Sequence, residues 1–222
     1  MPQNIYIYDP DIPVPEDVRH VKIPEGVTVI KANAFTNHSG LRSVTIQDSV
    51  TEIRQNTFAG CTGLRSVTIP DGITKLSDGT FWNCSGLQSI TIPDSVTLIG
   101  RNAFSGCAGL RFVTVPDSVT EIGDNAFFGC DGLRSVTIPG SVTQIGKTAF
   151  CGCSRLQSVA IPDGVTEISE GTFEDCTGLQ YVTIPDGVTA IGGQAFCDCS
   201  ALRSVMLPDS IKTIMNSAFR NS

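Results

Sequence analysis

Cysteine is the residue type in this chain best able to do chemistry, and seven of its nine cysteines recur every 23 residues. These are Cys61, Cys84, Cys107, Cys130, Cys153, Cys176 and Cys199, with His38 and Ser222 at the same place in the terminal repeats. A fixed interval indicates equivalent residues stacked in successive repeats. Stacked Cα atoms would lie about 5 Å apart with parallel Cβ vectors, a geometry that opposes a disulfide bond. We therefore expect a column of buried free thiols that pack as small hydrophobic side chains.

The two remaining cysteines, Cys151 and Cys197, lie outside that column, two residues before Cys153 and Cys199. A zinc knuckle requires C-x₂-C spacing and further Cys or His ligands, whereas the spacing here is C-x-C without a paired histidine. We expect no zinc site. We expect Cys151 and Cys197 to be exposed, so that about two thiols react under native conditions.

Aspartate also recurs, at Asp48, Asp71, Asp94, Asp117, Asp163, Asp186 and Asp209. This column could hold Ca²⁺ between repeats, but each Asp is already explained by a turn, and calcium requires six or more oxygen ligands. The two histidines, His20 and His38, both lie in the first repeat, and no glycine-rich phosphate loop occurs. We expect no catalytic, metal-binding or cofactor-binding residues, and no enzyme.

The element that positions these residues is a 23-residue unit, marked most clearly by phenylalanine. The column comprises Phe35, Phe58, Phe81, Phe104, Phe127, Phe150, Phe173, Phe196 and Phe219. A period of 20–29 residues with L-x-x-V-x-I is typical of a leucine-rich solenoid, in which each unit forms one coil. We expect nine coils over residues 18–222, beginning at 18, 41, 64, 87, 110, 133, 156, 179 and 202. Residues 1–17 are expected to form an N-terminal cap and connector.

Within a coil, alternation predicts a short strand: Val67 points inward while Ser66 and Thr68 point outward. A Pro-Asp turn follows, and then a short bridge on the opposite wall. The segment Asn102-Ala103-Phe104 is expected to enter a helical turn. The predicted fold is a β-rich solenoid of nine right-handed coils. It has a parallel β-sheet on one face and short helical turns or bridges on the other.

The formal net charge of −7 disfavours broad electrostatic binding to nucleic acid or to anionic membranes. No apolar run is long enough to span a membrane, so we expect no membrane insertion. The first 20 residues lack a signal peptide, which is consistent with a cytoplasmic protein, a mature form or a trimmed chain. Three residues follow Phe219, so the last coil is short. We expect either a longer natural protein or an end-to-end homodimer through this uncapped C-terminal coil.

The pattern L-x-x-V-x-I-P-D-x-V-x-x-I-x-x-x-A-F-x-x-C over residues 18–222 resembles the BspA-like, treponemal-type leucine-rich repeat, whose unit also has 23 residues. The resemblance implies surface-exposed or secreted microbial adhesion proteins that bind host or matrix proteins without enzymatic activity. The chain departs from the ribonuclease-inhibitor pattern because Ser or Gly replaces the Asn of the ninth position. The resemblance therefore implies a gently curved, β-rich solenoid.

Comparison of the coils with one another separates shared positions from exceptions. Phe112 and Tyr181 replace Ser in one outward column, and Met206 replaces Thr in the next. With Arg111 and Arg203 from a neighbouring Arg/Gln column, they form the expected contact surface for a protein partner. A second apolar stripe is expected after the core Phe column, at Trp82, Phe128 and Cys151.

These patterns favour a non-enzymatic protein-interaction or adhesion module. One alternative is a structural spacer or stalk within a longer surface protein. Another is ice binding by the regular Ser-x-Thr array, although the aromatic residues and the charged edge interrupt that array.

Overall fold

The computed structural model describes residues 5–222 as a stack of coils with two walls of parallel strands. The first wall consists of β1 (Ile5–Ile7), β2 (His20–Lys22), β4 (Ser43–Thr45), β6 (Ser66–Thr68), β8 (Ser89–Thr91), β10 (Phe112–Thr114), β12 (Ser135–Thr137), β14 (Ser158–Ala160), β16 (Tyr181–Thr183) and β18 (Ser204–Val205). The second wall consists of β3 (Val29–Ile30), β5 (Glu52–Ile53), β7 (Lys75–Leu76), β9 (Leu98–Ile99), β11 (Glu121–Ile122), β13 (Gln144–Ile145), β15 (Glu167–Ile168), β17 (Ala190–Ile191) and β19 (Thr213–Ile214).

Strand pairing follows the repeat without slippage. Val67 of β6 pairs with Ile90 of β8, and Ile99 of β9 pairs with Ile122 of β11, each partner one repeat further along. The first wall comprises the sheets β1-β2-β4-β6-β8, β10-β12 and β14-β16-β18, and the second comprises β3-β5, β7-β9-β11-β13 and β15-β17-β19. The predicted β-solenoid is confirmed. It has about eight complete coils, because the ninth, from Leu202, is shorter than 23 residues.

The expected helical turns are wrong: residues 5–222 contain no helix, and the Phe segment of each coil is a series of tight turns. In one coil the N–H of Ser105 donates to the carbonyl of Asn102 at 3.1 Å, the i→i−3 bond of a turn. The N–H of Phe104 instead donates to the carbonyl of Ala126 in the next coil, at 2.8 Å. Asn102 and Gly106 have left-handed φ values of 54° and 73°, which a right-handed helix does not allow.

The core is built from columns of identical residues. Neighbouring Phe rings of the column lie nearly parallel, with centroids 5.2–5.5 Å apart and interplanar angles of 4–12°. Beside them the cysteine thiols donate to main-chain carbonyls of the Phe column, as Cys84 Sγ does to Phe58 at 3.0 Å. This bond satisfies both groups in the dry interior, so the cysteine column is compatible with an apolar core.

At the amino-terminal end, β1 pairs with β2 in parallel, with Ile5 opposite His20 and Ile7 opposite Lys22. The ring of Tyr8 lies against the first core phenylalanine, Phe35, with ring centroids 5.3 Å apart. The segment before the repeats thus covers the apolar end of the first coil. No helix of the described residues is long and apolar enough to cross a membrane.

Candidate functional site

The outward side of the first wall, which we call the strand face, is formed by the first and third residues of its strands. Because the side chains of a strand alternate, these residues face solvent while the middle residue enters the core. Most coils place Ser and Thr there, as β6 does with exposed Ser66 and Thr68 on either side of buried Val67. The strand face is therefore a regular hydroxyl surface on which any large apolar side chain stands out.

Three large side chains do stand out, and their predicted exposure is confirmed. Phe112 is 59% exposed, Tyr181 is 52% exposed and Met206 is 87% exposed. Large apolar groups with this much accessible surface can lose it only by contacting another molecule, which is how aromatic anchors act in protein interfaces. Isolated exposed apolar residues are also common, so their arrangement matters more than their number.

The structure brings Tyr181, Arg203 and Met206 together at the carboxyl-terminal part of the strand face. Arg203 Nη1 donates to Tyr181 Oη at 3.3 Å, and its guanidinium carbon lies 5.8 Å from the ring centroid. Tyr181 pairs with Ser204, and Met206 follows two residues later on the same coil. The cation–π contact restrains both side chains, which lowers the entropy they would lose on binding.

Phe112 and Arg111 form a second, separate position near the middle of the strand face. Phe112 pairs with Ser135, and three coils separate it from Tyr181. At about 4.8 Å per coil, the two aromatic side chains lie about 15 Å apart along the solenoid. A partner that contacts both must therefore be extended along the axis or be at least the size of a small domain.

Two further apolar residues lie on the strand face, Ile5 and Ile7, and neither is among the predicted contact residues. Both are about half exposed, and their register with His20 and Lys22 places them in the same outward columns as Phe112 and Met206. The sequence predicts only a cap at these residues. The signal was available in the alternation Ile5-Tyr6-Ile7-Tyr8, since a strand that covers the core with Tyr6 must turn the isoleucines outward.

The second apolar stripe is only partly as predicted. Trp82 and Phe128 are both partly exposed, but Cys151 is 6% exposed, and Ser105 is buried in the coil between the two aromatic residues. The expectation that Cys151 and Cys197 are exposed is wrong. Small side chains at this position fold back into the turn, where Cys197 Sγ donates to Asp198 Oδ2 at 3.0 Å. Trp and Phe are too large to follow them.

All nine thiols are buried, and burial makes them poor nucleophiles. Burial raises the pKa of Cys61, Cys130 and Cys151 to about 12, because the thiolate would lose its hydration. The reactive form of cysteine is the thiolate, so these groups stay protonated and inert at neutral pH. We therefore expect no fast-reacting thiol in the folded chain, instead of the two predicted from the sequence.

The possible metal ligands of the described part of the chain do not cluster into a metal site. Within residues 5–222, no three His, Cys, Asp or Glu side chains come close enough together to hold a metal ion. An acidic group exists around Glu174, whose pKa is raised by burial and by the neighbouring carboxylates Asp175 and Asp198. Gln194 Nε2 donates to Glu174 Oε1 at 3.0 Å, and Asn221 Nδ2 donates to Asp198 Oδ1 at 2.8 Å. These contacts hold adjacent coils together.

Comparisons with known proteins agree with this architecture. Residues 16–134 and 120–222 match the BspA type leucine rich repeat region, in six copies. A leucine-rich cell surface protein of Faecalibacterium prausnitzii A2-165 is similar over 92% of this chain and 76% of its own, with 31% identity and a TM-score of 0.51. A leucine-rich repeat protein of T. pallidum is similar over 82% of this chain and 77% of its own, with 29% identity and a TM-score of 0.57.

A search of curated proteins found no significant match. The family match extends over the whole repeat region, since the matched ranges together cover residues 16–222. The chain belongs to the BspA-type leucine-rich repeat family.

Proposed function

We propose that this solenoid is a non-enzymatic module that binds a protein partner through its strand face, in a secreted or cell-surface setting. The observation that carries the proposal is the exposure of Phe112, Tyr181 and Met206 in two columns where most coils have Ser and Thr. Arg111 and Arg203 supply charged groups beside them. Such a combination of rigid aromatic side chains and arginine is typical of interface residues that contribute most to affinity.

The proposed setting is supported by one of the similar structures, which is described as a leucine rich cell surface protein. The proposed lack of catalysis rests on the chemistry of the described residues. Their thiols are buried, and most of their polar residues recur from coil to coil in turns and inter-coil hydrogen bonds. A binding surface needs neither a nucleophile nor a paired acid and base, so these properties fit it.

A second candidate is a spacer that holds another domain away from a surface. The unbroken Phe stack and the two parallel walls favour it, because they make an evenly supported, elongated body. A spacer would not require the exceptions on the strand face. The two functions therefore differ in what happens when those exceptions are replaced by the column consensus.

The test begins with purified extracellular and matrix proteins, screened for binding to the immobilised chain by surface plasmon resonance. The double variant Phe112→Ser/Tyr181→Ser carries the residue that most coils have at these positions, so it should fold normally. Removing two aromatic anchors should weaken binding of any protein that the wild-type chain captures by at least about 30-fold.

The matched control is Trp82→Ser/Phe128→Ser, which also removes two exposed aromatic residues, but from the opposite side of the coil. It should bind with wild-type affinity. Equal affinity of the wild-type chain and the strand-face variant, with circular dichroism unchanged, would favour the spacer. Loss of binding in the control variant alone would place the binding site at Trp82 and Phe128 instead of on the strand face.

A further inference from the structure

One edge of the strand face carries exposed arginines that form no ion pair with the carboxylates of residues 5–222. They are Arg65, Arg111, Arg134 and Arg155. The ion pairs in the described part of the chain use other cations: Lys31, Arg54, Arg101, Lys147 and Arg220. Unlike those cations, the four arginines have their guanidinium groups available to an outside anion.

The main chain places these arginines on neighbouring rungs of one edge. The N–H of Arg134 donates to the carbonyl of Arg111 at 2.9 Å, and the N–H of Gln88 donates to the carbonyl of Arg65 at 2.9 Å. All four arginines line one groove, whose floor includes the backbone of Gly86, Gly109 and Gly132. Arg134 and Arg155 also line an adjoining groove that continues to Gln157 and Gln180. The two grooves form one channel across the coils.

Arg155 stands in a column that holds glycine in six repeats, with Ala201 as the other exception. A Cβ atom at Gly132 would lie 2.3 Å from the carbonyl oxygen of Ala108, and one at Gly86 would lie 2.2 Å from that of Thr62. A side chain in this column therefore requires a local backbone shift, yet Arg155 occupies it. Two residues later, at the start of the next coil, Gln157 replaces the usual Arg. Arg155 thus places a cation at the groove from a position where packing alone favours glycine.

The charge around the groove differs from that of the whole chain. The net charge is −7, but the Asp column follows the strands and so lies at the other edge of the strand face. One carboxylate, Asp131, precedes Gly132 in the turn beside the groove and is in none of the ion pairs of the described residues. The channel is therefore a local cationic strip on an acidic protein, and it is complementary to an anionic ligand.

We infer that this channel receives an extended acidic segment of the protein partner. This inference rests on the proposed function, because it names the chemistry of the ligand at the same face. Each arginine can bind a carboxylate with two parallel hydrogen bonds. Exposed Phe112 is adjacent to Arg111 in the chain, so it can contact an apolar side chain of the same acidic segment. The combination of aromatic and arginine residues favours a peptide over a sulfated glycan.

The experiment uses a fluorescent peptide of about six glutamates, because four coil intervals cover about 19 Å and an extended chain advances about 3.4 Å per residue. Anisotropy at low salt measures its affinity for the chain. The variant Arg111→Gln/Arg134→Gln/Arg155→Gln keeps the fold, since Gln88, Gln157 and Gln180 already occupy the Arg column. Binding should weaken about 10-fold, as each exposed charge pair contributes a factor of about two.

The control variant Arg54→Gln/Arg101→Gln/Lys147→Gln changes the net charge equally but on other surfaces, and it should lower the affinity less than about twofold. The single variant Arg155→Gly restores the glycine of its column and should also weaken binding. Equal losses in the two triple variants would overturn the inference, because they would show binding to overall charge. Failure of the wild-type chain to bind the peptide would overturn it as well.

A sulfated polysaccharide provides a further comparison. If heparin binds in the channel more tightly than poly-glutamate and loses affinity in the groove variant, the acidic-peptide assignment is wrong. Phe112→Ser should leave the affinity for poly-glutamate unchanged, because this probe has no apolar side chain. The channel inference is therefore tested by poly-glutamate binding, and the proposed strand-face function is tested separately by binding of the captured protein.

Discussion

At the scale of single residues, each coil has two positions with a left-handed backbone conformation. One of these two positions is occupied in one coil by a residue type that is strained there. Asn33, Asn56, Asn102 and Asn125 adopt φ values of 54–60° there, and Thr148 adopts 51°. Asparagine tolerates this conformation, whereas a β-branched residue is strained in it. Comparison of the coils thus identifies Thr148 as a residue under backbone strain.

We expect Thr148→Asn to raise the free energy of unfolding by about 1 kcal/mol, since a left-handed conformation costs most residues about 1–2 kcal/mol. Thr148 Oγ1 donates to Asn125 Oδ1 at 2.6 Å, and an asparagine amide can donate to the same oxygen. Urea unfolding measures the change. The reverse substitution one coil earlier, Asn125→Thr, should destabilise by a similar amount. A stability loss in Thr148→Asn would contradict the argument.

The buried thiols predict a pH dependence. Burial raises the pKa of Cys130 to about 12 in the folded protein, whereas an unfolded thiol titrates near 9.0. Above pH 9 the unfolded chain releases protons that the folded chain retains. Stability is therefore fully present below pH 9 and falls up to about pH 12, by about 1.4 kcal/mol per pH unit for each such thiol.

Cys130→Ser isolates one thiol from the other groups that titrate at high pH. The serine hydroxyl can replace the thiol as donor to the Phe104 carbonyl, as the Ser222 hydroxyl donates to the Phe196 carbonyl in the last coil. Urea unfolding under reducing conditions should show that the free energy of unfolding decreases less between pH 8 and pH 10.5 for the variant than for the wild-type chain. Identical decreases would mean that the folded thiol ionises freely.

Residue types alone predicted which side chains enter the core but not the fate of every exception. Phe112 and Tyr181 face solvent because strand alternation leaves no choice. Cys151 and Cys197 occupy a turn, where no alternation applies, and their small size lets them fold inward beside the neighbouring coil. Trp82 and Phe128 occupy the same column and remain partly exposed, so side-chain volume decides the outcome.

At the scale of elements, the stack of Phe rings is the largest packing unit shared by the coils. Phe127 is fully buried between Phe104 and Phe150, with ring centroids 5.2 Å away on both sides. Phe127→Ala should lower the free energy of unfolding by about 3–5 kcal/mol, since it leaves a cavity and removes two ring contacts. Denaturant titration followed by circular dichroism measures this change.

The adjacent residue provides the control. Phe128 has the same side chain in the same coil but is partly exposed, so Phe128→Ala should cost about 1 kcal/mol or less. Similar losses for the two substitutions would mean that the Phe column does not carry the stability assigned to it.

The 23-residue period predicted the strands and the register but not the form of the Phe segment. The sequence predicts a helical turn at Asn102-Ala103-Phe104, and the structure has none there. Two left-handed positions per coil, such as Asn102 and Gly106, instead direct every second N–H to the next coil. Inter-coil bonds of this kind depend on the stacked neighbour, which local propensity does not include.

At the scale of the whole molecule, the two ends of the stack differ. Tyr8 and β1 cover the first coil, whereas Leu207 and Ile214 of the last coil are about half exposed. Their equivalents one coil earlier, Ile184 and Ile191, are buried by the coil that follows them. In a chain of these 222 residues, the last coil therefore presents core positions and unpaired strand edges to solvent, which favours association.

We expect this 222-residue chain to self-associate at high concentration through its last coil. Sedimentation should show a mass that rises from 23.5 kDa with concentration, because end-to-end contact buries the exposed core positions. Leu207→Lys/Ile214→Lys should remain monomeric, while Trp82→Lys, which also exchanges an exposed apolar residue for a charge, should associate as the wild type does. A wild-type chain that stays monomeric throughout would contradict the expectation.

The central claim is that residues shared by the coils build the scaffold and the exceptions on the strand face recognise a partner. It is tested most directly by moving one exception without changing composition. The variant Ser89→Phe/Phe112→Ser shifts the aromatic side chain by one coil, about 4.8 Å, within the same column. We predict wild-type stability and at least about 10-fold weaker binding to the captured protein, because the distance to Tyr181 changes. Unchanged affinity would contradict the claim.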